Sequence, residues 1–72
     1  MSNEYIKTGV IKSLHNKGYG FITNSDTGKD IFFHLSGCVD PAFEDLTVGT
    51  KVEYTEVEGI KGIKAIEIVA RK

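Results

Sequence analysis

The stretch Lys17-Gly18-Tyr19-Gly20-Phe21-Ile22 carries aromatic side chains at alternate positions, and a second stretch, Asp30-Ile31-Phe32-Phe33-His34, has a related pattern. Both are typical of short β-strands, in which alternate side chains point to opposite faces. If the two strands pair, one face holds Ile22, Ile31 and Phe33. The other face then holds a coplanar plateau of four flat rings, from Tyr19, Phe21, Phe32 and His34.

Small and basic residues surround this predicted plateau. Gly18 and Gly20 flank Tyr19, and we expect their lack of a side chain to leave the aromatic surface uncrowded. Flat rings beside ammonium groups suit a single-stranded nucleic acid, because bases stack on rings and phosphates meet positive charge. The pattern therefore predicts a binding face for single-stranded RNA or DNA, with Lys12, Lys17 and Lys29 as candidates for its edge.

The rest of the chain predicts a small all-β fold. Strand-like runs separated by short polar turns cover residues 5–14, 19–24, 30–36, 50–57 and 63–69. The segment 37–49 is predicted to be a long loop with a helical turn, anchored by Leu46. Because closure removes exposed strand edges, five short strands favour a five-stranded antiparallel barrel. Its predicted core is Ile11, Ile22, Ile31, Phe33, Val52, Tyr54, Ile66 and Ile68.

Composition limits the chain to one small domain. We expect the 72 residues to form a single unit, with residues 1–4 as a flexible tail. No apolar run is long enough to span a bilayer, and the N-terminus lacks a secretory pattern. Cys38, the one cysteine, rules out an internal disulfide framework and suits a reducing compartment. We therefore expect a cytoplasmic protein, and the closed barrel favours a monomer.

Charge is unevenly distributed along the chain. The formal net charge is −1, but residues 5–38 carry a balance of +2 and residues 59–72 a balance of +3. Residues 39–58 carry a balance of −5. A mildly basic face on an acidic body is consistent with this distribution, and so is a set of scattered, solvated charges. Attraction to a polyanion is expected to be modest and easily screened by salt.

Several motifs together resemble the cold-shock domain family, whose members are five-stranded barrels of the OB-fold type. Residues 17–22 resemble the family's first ribonucleoprotein motif, K-G-F-G-F-I, and residues 31–34 resemble the second, V-F-V-H. Residues 9–12 resemble the opening G-x-V-K, and residues 46–52 the L-x-x-G-x-x-V segment before strand four. Residues 59–62, followed by Ala65, resemble the turn before strand five. Each motif is loose, but their order and spacing are specific.

The resemblance implies binding of single-stranded RNA or DNA with little sequence preference, and RNA-chaperone or antitermination activity. It implies phosphate or base contacts for Lys12 and Lys17. Further candidate contacts are Ser13, Lys29, Leu35 and Lys61. Base stacking is implied for Tyr19, Phe21, Phe32, His34 and Phe43, although Phe43 also fits a role as a cap on the barrel.

Three positions depart from the family pattern. Ser13 stands where the family usually has tryptophan, and Leu14 and Leu35 stand at positions that are usually aromatic. The loop between strands one and two is also one residue shorter, which makes the Ser13 correspondence less direct. Stacking contributes roughly 1–3 kcal/mol per base. The departures therefore predict weaker binding or a shorter footprint than a fully aromatic relative shows.

Other classes of function are less consistent with the sequence. A barrel kept as a protein-interaction module, with a degenerate nucleic-acid face, is the alternative that Ser13, Leu14 and Leu35 favour. His15, His34 and Cys38 lack the paired spacing of a structural zinc site, so neither a metal nor another cofactor is expected. No nucleophile and base stand in an arrangement typical of hydrolysis, and no small-molecule substrate or enzymatic activity is predicted.

Overall fold

A computed structural model of the chain describes residues 6–40, 42–59 and 62–71. The predicted tail, Tyr5 and Lys61 lie outside these residues. No helix of the described segments is long and apolar enough to cross a membrane. The described segments contain six strands, which are β1 (Ile6–His15), β2 (Tyr19–Asn24), β3 (Asp30–His34), β4 (Cys38–Asp40), β5 (Lys51–Gly59) and β6 (Gly62–Ala70).

Five of the strands form a closed barrel in the order β1-β2-β3-β6-β5, with β5 returning to β1. The pairs β1–β2, β2–β3, β1–β5 and β5–β6 are antiparallel. The ring closes through a parallel pairing of β3 with β6, in which Phe33 lies opposite Ala65. The all-β, five-stranded barrel is thus confirmed, but its closing pair is parallel, as is the added pair β4–β6.

The segment after β3 differs from the prediction. β3 ends at His34, not at residue 36, because the backbone turns into a 3-10 helix over Leu35–Gly37. The His34 side chain accepts a hydrogen bond from the Ser36 backbone N–H at the start of this turn. The predicted helical turn is present at Phe43–Asp45. The three-residue strand β4 was missed, because so short a run has no periodicity to detect.

Most of the predicted core is buried inside the barrel. Ile11, Ile22, Phe33, Val52, Tyr54 and Ile68 are almost fully inaccessible, and Leu46 closes one side as predicted. Ile66 is the exception, since Ala65 is buried and Ile66 is not. A bulge near Glu67, whose φ is 52°, adds one residue to β6 opposite Tyr54. Strict alternation therefore fails across the bulge.

Gly20 faces the interior and not the aromatic surface, which corrects the role predicted for it. A Cβ at Gly20 would lie 2.5 Å from the Ser13 carbonyl oxygen and 2.8 Å from the Phe33 ring. Phe33 therefore packs directly against the β2 backbone. Gly18, with φ of 96°, serves the turn, and the Leu35 side chain covers it.

A polar network crosses the barrel at Asn24, which is buried. Its amide nitrogen donates to the Tyr54 hydroxyl at 2.9 Å and to the Glu56 carboxylate at 3.2 Å. Its side-chain oxygen accepts from the backbone N–H groups of Asp26 and Thr27. Buried polar groups are costly unless they are paired. Asn24 therefore fixes the β2–β3 turn to β5.

Burial raises the pKa of Tyr54 from its ordinary 10.0 to about 12, and the Glu56 carboxylate acts in the same direction. Because folding favours the neutral phenol, its contribution to stability is complete below pH 10 and is lost as the pH rises toward 12. We expect the free energy of unfolding to fall by roughly 2 kcal/mol between pH 9 and pH 11.5 from this group alone. Urea unfolding at these two pH values checks this. Tyr54→Phe is the control, and an equal fall in that variant would contradict the assignment.

Candidate nucleic-acid interface

The outer face of β2 and β3 brings together four of the side chains predicted for binding, those of Tyr19, Phe21, Phe32 and His34. Across β2 and β3, Tyr19 lies opposite His34 and Phe21 opposite Phe32. All four are at least partly exposed, whereas the alternate residues Gly20, Ile22, Ile31 and Phe33 are buried. The predicted alternation of the two strands is therefore present in the structure.

The rings on this face do not form a flat plateau, which corrects the coplanar arrangement expected from the sequence. Tyr19 and Phe32 have centroids 5.8 Å apart and planes inclined by 30°. Phe21 stands nearly perpendicular to both, at 88° to Tyr19 and 72° to Phe32. Edge-to-face packing of this kind is a favourable arrangement of aromatic rings. The face therefore offers both ring faces and ring edges.

His15 joins these rings, although the sequence analysis did not include it among the binding residues. It lies opposite Tyr19 across the β1–β2 hairpin, and the Gly18 N–H donates to the His15 carbonyl in the turn. The His15 and Tyr19 centroids are 4.6 Å apart with an interplanar angle of 19°, which is a stacked pair. The three-residue connection 16–18 is the sequence feature that could have predicted this contact, because such a turn pairs the residues on either side of it. We call His15, Tyr19, Phe21 and Phe32 the ring cluster.

His34 borders the ring cluster with one nitrogen already engaged. Its Nδ1 lies 3.1 Å from the Ser36 backbone nitrogen, whose N–H it accepts, and 3.0 Å from the Ser36 hydroxyl. Because Nδ1 is the acceptor, the proton of the neutral ring is on Nε2. His34 therefore retains Nε2–H as a donor to a base or a phosphate.

Lys12 is held at the other end of the face by an ion pair. Its Nζ lies 2.6 Å from Asp30 Oδ2, and the Thr23 hydroxyl donates to Asp30 Oδ1 at 3.0 Å. The hydrogen bond from Lys12, followed by that from Thr23, lowers the pKa of Asp30. A carboxylate thus faces the ligand side at this end. The Asp30 carboxylate therefore competes with a phosphate for Lys12, although the exposed ammonium group retains further N–H donors.

The other predicted basic residues differ in their settings. Lys17 is exposed in the turn between His15 and Tyr19, next to the ring cluster. Lys29 is exposed in the turn before β3. Lys61 lies outside the described residues. Of the basic candidates in the described part of the chain, Lys17 is nearest in sequence to the stacked pair.

The three positions that depart from the family's aromatic pattern, Ser13, Leu14 and Leu35, differ in their location in the barrel. Ser13 lies opposite Phe21 on the outer face, because a bulge between Ile11 and Ser13 resets the register there. Leu14 is half-buried against the core and is not available as a surface residue. Leu35 is 48% exposed, and its N–H donates to the Gly18 carbonyl. Ser13 therefore remains at the face, Leu35 is exposed over the turn at Gly18, and Leu14 packs toward the core.

Phe43 lies outside the ring cluster. Its ring packs on buried Phe33 with centroids 5.9 Å apart, and the side chain is partly buried against the core. This is the barrel-capping contact that the sequence also allowed. Among the described residues, no three histidine, cysteine, aspartate or glutamate side chains come together as a metal site.

Comparison with known proteins agrees with the fold. The family model described as the "'Cold-shock' DNA-binding domain" matches residues 7–71. Cold shock-like protein CspI of Escherichia coli (strain K12) is 41% identical over 71 residues, covering 97% of this chain and 99% of the relative. Cold shock-like protein CspG of Shewanella violacea is 38% identical over the same length and with the same coverage.

A solved structure, drosophila Unr CSD456, superimposes with a TM-score of 0.79 at 25% identity. The match covers 93% of this chain and 27% of that longer one. With the family match over residues 7–71 and the two bacterial relatives, the assignment is direct. The chain belongs to the cold-shock domain family of nucleic-acid-binding proteins, which are not enzymes.

Proposed function

We propose that this chain binds single-stranded RNA or DNA on Tyr19, Phe21, Phe32 and His34, and acts as an RNA chaperone or transcription antiterminator. The observation that carries the proposal is the exposure of Tyr19, Phe21 and Phe32 on one face of β2 and β3 while their neighbours fill the core. Aromatic rings in water-accessible clusters are suited to stacking with any base. We further propose that the chain works as a monomer in the cytoplasm.

The mechanism follows from mass action. A hairpin that opens briefly exposes unpaired bases, and stacking on the rings lowers the free energy of the open strand without any need for ATP. His34 Nε2–H and the lysines contact the bases or the backbone. Weak, rapidly exchanging binding suits this task, because a tightly bound protein would itself block the strand.

The affinity is proposed to be lower than that of a fully aromatic family member. Ser13 leaves the position opposite Phe21 without a ring. The Asp30 carboxylate also neutralises Lys12 at one end of the face. Each missing stacking position removes roughly 1–3 kcal/mol. A titration series with strands of increasing length measures this deficit.

Titration with oligothymidine or oligouridine, followed by amide chemical shifts, tests the proposal. We expect shifts concentrated at Tyr19, Phe21, Phe32 and His34, with fast exchange. An absence of shifts at these residues, at low salt and millimolar strand, would contradict binding at this face. Shifts at Phe43 would extend the interface to the end of the barrel.

Substitution of Lys17 and of Lys12 compares an exposed lysine in the turn with a lysine that forms an ion pair with Asp30. Lys17→Ala is expected to reduce affinity and to lower the slope of log affinity against log salt by about 0.7, the value for one phosphate contact on a single strand. Lys12→Ala is expected to change both quantities less, because Lys12 already pairs with Asp30. Binding isotherms at four salt concentrations measure both. Equal effects of the two substitutions would show that the ion pair opens at no cost in the complex.

The alternative, a protein-interaction module, is favoured by one observation. Leu35 exposes an aliphatic side chain over Gly18 in the β1–β2 turn, at a position where an aromatic ring is usual. Leu14, which favours the same function at the level of sequence, packs toward the core. A stoichiometric protein partner that survives nuclease treatment and is lost with Leu35→Ser would support this function. Partners that disappear with nuclease would support nucleic-acid binding.

A further inference from the structure

We propose that His15 occupies the base-stacking face of Tyr19, so that a nucleobase must displace the imidazole before it can stack there. The inference rests on the proposed function and concerns how a side chain of the same chain limits access to the binding site. It starts from the geometry of the His15–Tyr19 pair, whose planes differ by 19° at a centroid distance of 4.6 Å.

Two rings at this distance and inclination overlap. Rings lying edge to edge in one plane cannot bring their centroids so close without atomic overlap, whereas offset-stacked rings have centroids about 4.5–7 Å apart. His15 therefore covers one face of Tyr19. Its strand, β1, flanks β2 on that side, and β3 flanks β2 on the other.

The second face of Tyr19 also has a neighbour. Phe32 lies on the β3 side, with its centroid 5.8 Å from that of Tyr19. Tyr19 is only partly exposed as a result, although it stands at a position where the family motif has a stacking aromatic. A base can reach a full face of Tyr19 only if one of these neighbours moves.

His15 is the neighbour that can move. It is exposed at the last position of β1, beside the turn, whereas Phe32 lies within β3 between the paired strands β2 and β6. Ser13, on the same outer face of β1, has a small side chain. The displaced imidazole therefore has space toward solvent and along β1.

The competition has a calculable effect on affinity. The equilibrium constant for forming a stacked aromatic pair from separated rings is about 2 to 13. A ligand that binds only when His15 and Tyr19 are unstacked has its affinity reduced by a factor of one plus that constant. His15→Ala is therefore expected to raise the affinity for oligothymidine about 3- to 14-fold. His15→Phe, which keeps a ring on Tyr19, is expected to give no such rise.

The experiment compares wild type, His15→Ala, His15→Phe and Phe32→Ala by fluorescence anisotropy, with Asn16→Ala as the control for the turn. On the wild type, saturation with the strand is expected to shift the His15 ring resonances toward those of a free imidazole, since the ring current of Tyr19 is removed. Thermal unfolding of each variant without the strand verifies folding.

The outcomes separate the inference from the function. A fall in affinity in His15→Ala, or no change, overturns the competition, and a fall assigns His15 a direct contact. His15 resonances that keep their stacked shifts in the complex overturn it without any variant. If the wild type does not bind the strand at all, the proposed function fails. If Phe32→Ala weakens binding and His15→Ala does not strengthen it, the competition is overturned and the proposed function stands.

Discussion

Phe33→Ala is expected to lower the melting temperature by at least about 12 °C. Phe33 has no solvent-accessible surface and packs against Gly20 and Phe43. Truncation of a buried phenylalanine costs about 3–5 kcal/mol. A chain of this size has a total stability of roughly 4–11 kcal/mol, and each kcal/mol corresponds to about 4–8 °C. Thermal unfolding monitored by circular dichroism measures the effect.

Phe32→Ala is the matched control for stability. Phe32 is adjacent to Phe33 in β3, but its side chain is 39% exposed on the opposite face of the strand. Its loss removes the ring contacts with Tyr19 and Phe21, each worth about 1 kcal/mol, and leaves the core intact. We therefore expect a smaller fall in melting temperature. Equal destabilisation by the two substitutions would mean that Phe32 is part of the core.

The same Phe32→Ala variant is expected to lose affinity for oligothymidine by about 5- to 150-fold. The reason is that stacking on one aromatic ring contributes roughly 1–3 kcal/mol per base, and about 1.4 kcal/mol corresponds to a factor of ten. Phe32 is more exposed than Tyr19 and Phe21, and it contacts both of these aromatic rings of β2. Fluorescence anisotropy at low salt, at a temperature where the variant is folded, measures the loss.

Val39→Ala provides the corresponding control for binding. Val39 is an exposed apolar residue of β4, which pairs with β6 and lies away from the ring cluster. Its truncation is expected to leave affinity unchanged. If Val39→Ala weakened binding as much as Phe32→Ala, the strand would follow a different face of the barrel, and the ring cluster would not be the main site.

The fold was largely predictable because two kinds of local signal agreed. Alternation in β2 and β3 separates Phe32 from Phe33, and the motif order resembles one family over most of the chain. Alternation fails where a bulge changes the count, as at Glu67, so that Ala65 and not Ile66 enters the core. A bulge is set by the pairing of two distant strands, and no local pattern reports it.

The site was only partly predictable, because strand parity gives the face of a side chain but not its rotamer. Parity correctly put Tyr19, Phe21, Phe32 and His34 on one side of the sheet. It could not show that Phe21 stands perpendicular to its neighbours or that Lys12 turns to Asp30. His15 was treated as a turn residue, whereas the hairpin extends β1 as far as that position.

The parallel contact between β3 and β6 has a consequence for the order of assembly. The strands that present the rings are synthesised early, yet Phe33 acquires its neighbour Ala65 only when the last strand arrives. Until then β3 has an unpaired edge beside an uncovered apolar surface, which is the kind of edge that promotes association between chains. A nascent or C-terminally truncated chain that lacks β6 is therefore expected to be prone to aggregation, although the strands that carry its ligand face are already synthesised. Strand closure over such a sequence separation is also expected to limit the folding rate.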